Sequence, residues 1–474
     1  METLDTLRSG IASGRLTGCT HLSLSGSLSD FPQVLFELAD SLAFLNLSGN
    51  HLSRLPEEFE LFKQLKILFF NRNAFATFPT VLAQCPQLSM VSFKNNRLTT
   101  VSAESLSPQL RWLILTNNQI ESLPSSIGNL SRLQKLMLAG NRLSAVPPEL
   151  ANCKNLELIR LSANRLKALP GWLMTLPRLS WLAYAGNPFC EDAIPISPFH
   201  LPNDLSDISA SEIQRGQLLG EGASGTIYQG TWTPASITTE DIIGLPDSPT
   251  SDTPTSDSPK TVAIKLFKGD ITSDGSPLDE MRACMAAGQH PNLVTVLGKY
   301  AAEHQAGLVF EFISPDYTSL GDPPDLDSCT RDTYSEETKF TLGVVLTIAR
   351  GIASAAAHLH RRGILHGDLY AHNILVNQAG HSDQRGHSIL GDFGAASFYD
   401  PADQATGQAL ERLESRAFGC LLEDLLNHTS SNESADVDTL QGLRQLQDQC
   451  LNEDPAERPL FSNIVHALEA LVTR

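Results

Sequence analysis

Seven asparagines recur through the first half of the chain, at Asn50, Asn73, Asn96, Asn118, Asn141, Asn164 and Asn187, at intervals of 23, 23, 22, 23, 23 and 23 residues. Each closes the pattern L-x-x-L-x-L-x-x-N-x-L, as in Leu42-Ala43-Phe44-Leu45-Asn46-Leu47-Ser48-Gly49-Asn50-His51-Leu52. An apolar residue and a proline follow at constant offset in Leu55-Pro56, Phe78-Pro79, Leu123-Pro124, Val146-Pro147 and Leu169-Pro170. One such unit is too short to bury its own leucines, so neighbouring units must stack into a solenoid with a continuous core. The asparagine amides can satisfy backbone groups that the tight turns leave unpaired, which makes them structural rather than catalytic.

These repeats resemble the leucine-rich repeat family. The resemblance implies an array over residues 1–190, with Met1–Arg15 as a helical cap and an atypical first repeat around Leu22-Ser23-Leu24-Ser25-Gly26-Ser27. Asn187-Pro188-Phe189 ends the last recognisable repeat. Strand residues that alternate with the buried leucines face the concave side. They include Phe44, Ile67, Phe69, Met90, Trp112, Ile114, Met137, Leu158 and Trp181, beside Asn71, Lys94, Thr116, Lys135 and Arg160. A contiguous apolar row on a wet surface marks an interaction site, so Phe44, Phe69, Trp112, Ile114 and Trp181 are candidate partner-binding residues. Two kinds of occupant stay open: an external protein, or packing against the rest of this chain or a second copy.

A different pattern occupies the second half. Gly220-Glu221-Gly222-Ala223-Ser224-Gly225-Thr226-Ile227 matches G-x-G-x-x-G-x-V with Ile for Val, and it precedes an extended stretch rather than a helix. Val262-Ala263-Ile264-Lys265, a helical stretch with Glu280, and His290-Pro291-Asn292-Leu293-Val294 follow. Then come Leu365-His366-Gly367-Asp368-Leu369-Tyr370-Ala371-His372-Asn373 and Gly391-Asp392-Phe393-Gly394. Single motifs of this kind arise by chance; five in this order do not.

From about residue 212 to the end, the chain resembles the eukaryotic-type protein kinase family. The resemblance implies a two-lobed α+β fold in which glycine backbone N–H groups close over the ATP phosphates. It assigns Gly220, Glu221, Gly222, Ala223, Ser224, Gly225 and Ile227 to the nucleotide, with Ala263 and Leu375 about the adenine and Glu311 and Ile313 at the hinge. Phe310 falls at the gatekeeper position. Lys265 would hold phosphate and Glu280 would hold Lys265, although Asp279 stands next to it. Asn373 and Asp392 would ligate Mg2+ through hard oxygens, and Asp368 would accept the substrate hydroxyl proton.

The chain departs from that family in ways that bear on its substrate. Gly367 stands where most kinases have Arg, Tyr370 where serine/threonine kinases have Lys, and His372 where many tyrosine kinases have Arg. The activation segment is short and lacks an Ala-Pro-Glu motif; Arg458 matches the family's late arginine without its glutamate partner. A large buried helix is expected from near Glu414, itself a replacement for the usual Asp.

The net charge of −19 and pI near 5.1 argue against nucleic acid or an anionic membrane as a main partner. Eight scattered cysteines with no C-x-x-C fit free thiols in a reducing cytoplasm. No signal peptide and no run of 18 apolar residues is found; the nearest, Gly343–Leu359, contains Arg350 and fits the helix before the catalytic loop. Residues 191–211 link the domains, with Ile194, Ile196, Phe199 and Leu201 expected to dock. Residues 233–260 form a Ser/Thr/Pro-rich insert with Ser248-Pro249, Thr253-Pro254 and Ser258-Pro259, expected to be disordered and a candidate for autophosphorylation.

The sequence thus predicts a multidomain α/β protein: a leucine-rich repeat solenoid followed, at 212–474, by a two-lobed protein-kinase fold. It would use ATP and Mg2+ to phosphorylate Ser or Thr of protein substrates, with the repeats choosing a partner. A pseudokinase scaffold and a small-molecule kinase are the other readings.

Overall fold

The structure, a computed structural model, describes residues 3–193, 207–222, 224–234, 258–269, 271–302, 305–377, 385–430 and 437–472. Ala223, the docking residues expected in the linker and most of the Ser/Thr/Pro insert lie outside them.

The chain opens with α1 (Leu4–Ala12), whose N-cap Thr3 accepts from Thr6 N–H in a reciprocal capping box. Eight parallel three-residue strands follow in sequential order: β1 (His21–Ser23), β2 (Phe44–Asn46), β3 (Ile67–Phe69), β4 (Met90–Ser92), β5 (Trp112–Ile114), β6 (Lys135–Met137), β7 (Leu158–Arg160) and β8 (Trp181–Ala183). The register is unbroken, Phe44 facing Ile67, Met90 facing Trp112 and Leu158 facing Trp181. The prolines fix φ at the start of short 3₁₀ turns on the opposite side, as at Pro56, Pro79, Pro124, Pro147 and Pro170. Inward leucines such as Leu45, Leu68, Leu113 and Leu136 are wholly buried. A short helix, α2 (Pro188–Ala193), follows β8.

The asparagine ladder works as its chemistry requires. Asn118 Nδ2 donates to Phe93 O and Leu115 O, each at 2.9 Å, while its Oδ1 accepts from Leu98 N–H at 3.0 Å. The amide therefore joins two successive repeats. Asn50, Asn73, Asn96, Asn141, Asn164 and Asn187 make the corresponding bonds.

The second unit starts with β9 (Asp207–Ser209), β10 (Ile213–Glu221), β11 (Gly225–Trp232) and β12 (Lys260–Phe267). Helix α3 (Pro277–Ala287), N-capped by Ser276, precedes β13 (Val296–Ala302) and β14 (Gln305–Glu311). These strands form one sheet in the order β10-β11-β12-β14-β13-β9, with β9 parallel to β13.

The other lobe is mainly helical. After β15 (Tyr317–Ser319), α4 (Leu342–Arg361) runs through its core and leads to β16 (Ile364–Leu365), β17 (Ile374–Asn377), β18 (Ser388–Leu390) and β19 (Ser397–Phe398). α4 is the one helix among the described residues with the length and apolarity of a membrane span, and more than half of that window is buried inside the protein. Helices α5 (Gln404–Asn427), α6 (Val437–Cys450) and α7 (Phe461–Val472) complete the lobe. α5 begins ten residues before the expected Glu414, because Asp403 caps it by accepting from Thr406 N–H.

The array does not stand apart from this unit. Met137, Leu158 and Trp181 of the concave strands belong to the hydrophobic cluster of the helical lobe, and Leu365, Tyr399, Leu410 and Leu413 belong to that of the repeats. A free concave face is therefore corrected for its second half. Trp181 is 1% exposed, and the half-buried Trp112 and Ile114 pack on the same cluster. Only Phe44 and Phe69 of the five candidate partner residues remain half-buried without such cover.

Two outcomes test this description. Asn118→Ala strips two adjacent repeats of a shared partner and should destabilise the protein by about 3 kcal/mol in urea melts. His290 holds its ring between Asn292 N–H and Ser354 Oγ, each at 3.1 Å, and burial, aided by His358 and Arg361, pulls its pKa down to about 4. A depressed folded value means that this contribution is present above the unfolded value of 6.5 and lost as pH falls toward 4. His290→Gln should flatten stability against pH in that window.

Candidate active site

The strand lysine is placed by sheet register. Lys265 on β12 faces Ile227 on β11 and Leu308 on β14, and its Nζ pairs with Glu280 on α3. Asp279 turns away to Arg282 at 3.1 Å, so the structure selects Glu280 of the two adjacent carboxylates. Burial works against the Lys265 charge, but Glu280 and then Asp392 outweigh it and raise its pKa above the ordinary value.

Gly220 and Gly222 each have open space where a Cβ would point, whereas a Cβ on Gly225 would lie 2.6 Å from Leu266 O. The first two thus leave room for a ligand, and the third permits close approach of β11 to β12. Glu221 is exposed and pairs with Lys268 at 2.7 Å, which also donates to Gly222 O at 3.1 Å. Ser224 lies beside this turn, which Gly222 N–H closes on Gly225 O at 2.9 Å.

Four apolar side chains assigned to the nucleotide or its hinge, Ile227, Ala263, Ile313 and Leu375, are half-buried. Their strand neighbours Val262, Ile264, Ile374 and Val376 are fully buried. This is the pattern of a slot with an open apolar lining. Phe310 precedes Glu311 at the end of β14.

The catalytic loop and the DFG loop are tied together. Asn373 Nδ2 donates to Asp368 O at 2.9 Å and to Asp368 Oδ2 at 3.0 Å, while Gly391 N–H donates to Asn373 O at 2.9 Å. Asp392 is exposed at φ 53° and accepts from Gly394 N–H at 3.1 Å. Phe393 is buried with its ring 5.1 Å from that of His366. Glu414 takes up the role expected of the family's Asp by accepting from Gly367 N–H at 2.7 Å. Asp332 secures the loop from the other side through Ala371 N–H and the His372 ring, the latter at 2.6 Å.

The donors suit the groups that the family implies. Asn373 and Asp392 offer two hard oxygens, the small protein contribution with which Mg2+ is held when phosphates supply the rest. The open glycine turn and half-buried apolar slot suit a nucleotide. Among the described residues no cluster of three or more His, Cys, Asp or Glu could hold a metal alone.

Sequence reasoning missed what covers Asp368. Arg160, at the end of β7, donates through Nη2 to Asp368 Oδ1, through Nη1 to Gly367 O at 3.0 Å and through Nε to Asp274 Oδ1 at 2.7 Å. Trp181 stacks on Tyr370 with centroids 4.3 Å apart and an 8° interplanar angle, and its Nε1 donates to Leu369 O at 3.2 Å. Tyr184 and Ala185 N–H both reach Ser397 Oγ, at 3.0 and 3.2 Å. Arg458, without a glutamate partner, donates instead to Pro177 O of the array at 2.6 Å and Asn452 O at 2.9 Å. The signal that could have been followed was Gly367. It sits at φ 73°, and a Cβ there would lie 2.4 Å from Leu182 O and 2.8 Å from Ala395 O. An Arg at that position is excluded because the last repeat fills the space.

Comparison with known proteins agrees with both halves. The family profile described as protein tyrosine and serine/threonine kinase matches residues 213–437, and leucine-rich repeat profiles match 41–62, 86–143 and 131–189. This chain joins leucine-rich repeats to a protein kinase domain. It is 26% identical over 210 residues to fibroblast growth factor receptor 1 of Pleurodeles waltl, across 43% of this chain and 23% of the receptor. It is 28% identical over 213 residues to the serine/threonine-protein kinase PITSLRE of Drosophila melanogaster, across 44% and 18%. With the probable serine/threonine-protein kinase kinY of Dictyostelium discoideum it shares 24% over 326 residues, across 60% and 52%. It thus spans from about one fifth to about half of these relatives' lengths. A leucine-rich repeat protein of Leptospira interrogans shares 25% identity over 40% of this chain and 53% of its own, with a TM-score of 0.34, too low to support an inference.

Gly367→Arg restores the residue usual in kinases and should destabilise this one by at least ~3 kcal/mol, since backbone oxygens cannot move aside as a side chain can. Thermal melts of the full chain would measure it.

Proposed function

We propose that the chain is a protein kinase that transfers the γ-phosphate of ATP to Ser or Thr hydroxyls of protein substrates. The observation that carries this reading is the joint geometry of five groups. Lys265 is paired with Glu280, Asn373 is bonded to Asp368, and Asp392 stands beside them. In this reading Lys265 neutralises phosphate charge, held in place by Glu280. Gly220, Gly222 and Gly225 let the backbone close over the phosphates. Asn373 and Asp392 would hold Mg2+, which when bound would supply positive charge to the phosphates. Asp368 orients the acceptor hydroxyl and takes its proton as the new P–O bond forms and the bond to the β-phosphate oxygen breaks, releasing ADP.

The preference for Ser and Thr draws on kinY, which matches over the largest share of this chain among the three relatives, although the tyrosine-protein kinase ABL2 of Mus musculus is also similar. In this reading a protein partner docks on the N-terminal repeats, a role supported by Phe44 and Phe69, which are half-buried beside each other. The eight free cysteines favour a reducing compartment, hence the cytoplasm. The insert at 233–260 stays a candidate for autophosphorylation.

Purified protein with labelled ATP, Mg2+ and generic protein substrates tests the reading. Asp368→Asn should lower transfer at least ~100-fold while leaving nucleotide binding intact. Phosphoamino-acid analysis should find phosphoserine or phosphothreonine. Equal labelling in wild type and variant would remove the assigned base, and nucleotide binding without transfer in either would favour an ATP-binding scaffold.

A further inference from the structure

The catalytic loop has no spare cation beside its base. Gly367 and Leu369 flank Asp368, Tyr370 and Ala371 follow, and the His372 ring is committed to Asp332. Phosphoryl transfer nevertheless depends on fixed positive charge and a correctly held base. A guanidinium reaches that base from 208 residues upstream. Arg160 has a side chain only 2% exposed, and its donors end on both lobes: Asp368 and Gly367 O in the helical lobe, Asp274 ahead of α3 in the other. Burial disfavours the charge, yet the two carboxylates more than offset it and the residue stays cationic.

We propose that Arg160 is a positioning residue of the phosphotransfer site, so that the repeat array completes a catalytic centre that the kinase domain alone leaves unfinished. The inference rests on the kinase reading above. Arg160 on Oδ1 and Asn373 on Oδ2 fix the Asp368 carboxylate from both sides. Each oxygen keeps a further lone pair for an acceptor hydroxyl, and the side chain retains 16% exposure. By holding Asp274 as well, the same guanidinium sets the turn that leads into α3, and α3 carries Glu280.

A simple lid is a poorer account. The Lys265–Glu280 pair is formed and Phe393 packs beneath His366. Trp181, Tyr184 and Leu158 are as deeply buried as core residues. Domain surfaces joined through this much apolar packing do not part readily.

The experiment compares wild type, Asp368→Asn, Arg160→Gln and Arg160→Lys as full chains. Turnover, the KM for ATP, the Kd of a fluorescent ATP analogue and the melting transition would be measured. Arg160→Gln should lose about 100-fold in kcat, with the analogue Kd within about threefold and the transition retained. Arg160→Lys keeps the charge and should recover at least about tenfold of that loss. Unchanged turnover in Arg160→Gln overturns the proposal, and raised turnover overturns it in favour of a brake. Parallel loss of turnover and nucleotide binding with no recovery by lysine makes Arg160 merely structural. If the glutamine variant does not fold, the lysine variant decides, since the proposal requires it to stay within about tenfold of wild type. A wild type that binds nucleotide but transfers nothing removes the kinase reading, and this inference with it; a working wild type with an unaffected Arg160→Gln removes only this inference.

Discussion

One guanidinium removed from water dictates how the two halves of this protein meet. A buried arginine is tolerated only where carboxylates and carbonyls accept its N–H groups, and Arg160 finds them at Asp368, Gly367 and Asp274. A shift of the array by one repeat would leave a charge buried without partners. Apolar packing by Met137, Leu158 and Trp181 provides attraction but little direction. The arginine and the Trp181 N–H on Leu369 O supply the direction.

The departures of the kinase half from its family then share a cause. Gly367 is small because Leu182 O lies against it, and Tyr370 is aromatic where it meets Trp181. Arg458 has no carboxylate partner because Pro177 O takes its place. Read from the kinase domain alone, these look like losses from a substrate platform. With the array in place they are the contact surface of a second domain.

Much of the fold was legible because its signals are local or strictly periodic. A 23-residue spacing of asparagines leaves one way to stack the leucines, and the Asn118 bonds follow. The motifs holding Lys265, Asp368, Asn373 and Asp392 could be read because their order along the chain tracks their role. The cover on the concave face could not be read. Alternation tells which side of β8 Trp181 occupies, but not that Tyr370, far along the chain, lies over it. Arg160 looked like an ordinary polar neighbour for the same reason. The early start of α5 was missed because its cap, Asp403, precedes any clear apolar period.

The docking of β7 and β8 also constrains how such an array can change over evolutionary time. Strands in the solenoid are spaced by about 4.8 Å, so a repeat duplicated between β7 and the linker would carry Arg160 and Trp181 a full step away from Asp368 and Tyr370. A repeat duplicated before β6 would leave those contacts where they are. Lineages descended from this architecture can lengthen or trim the array at one end, while the other end is inherited together with the kinase half.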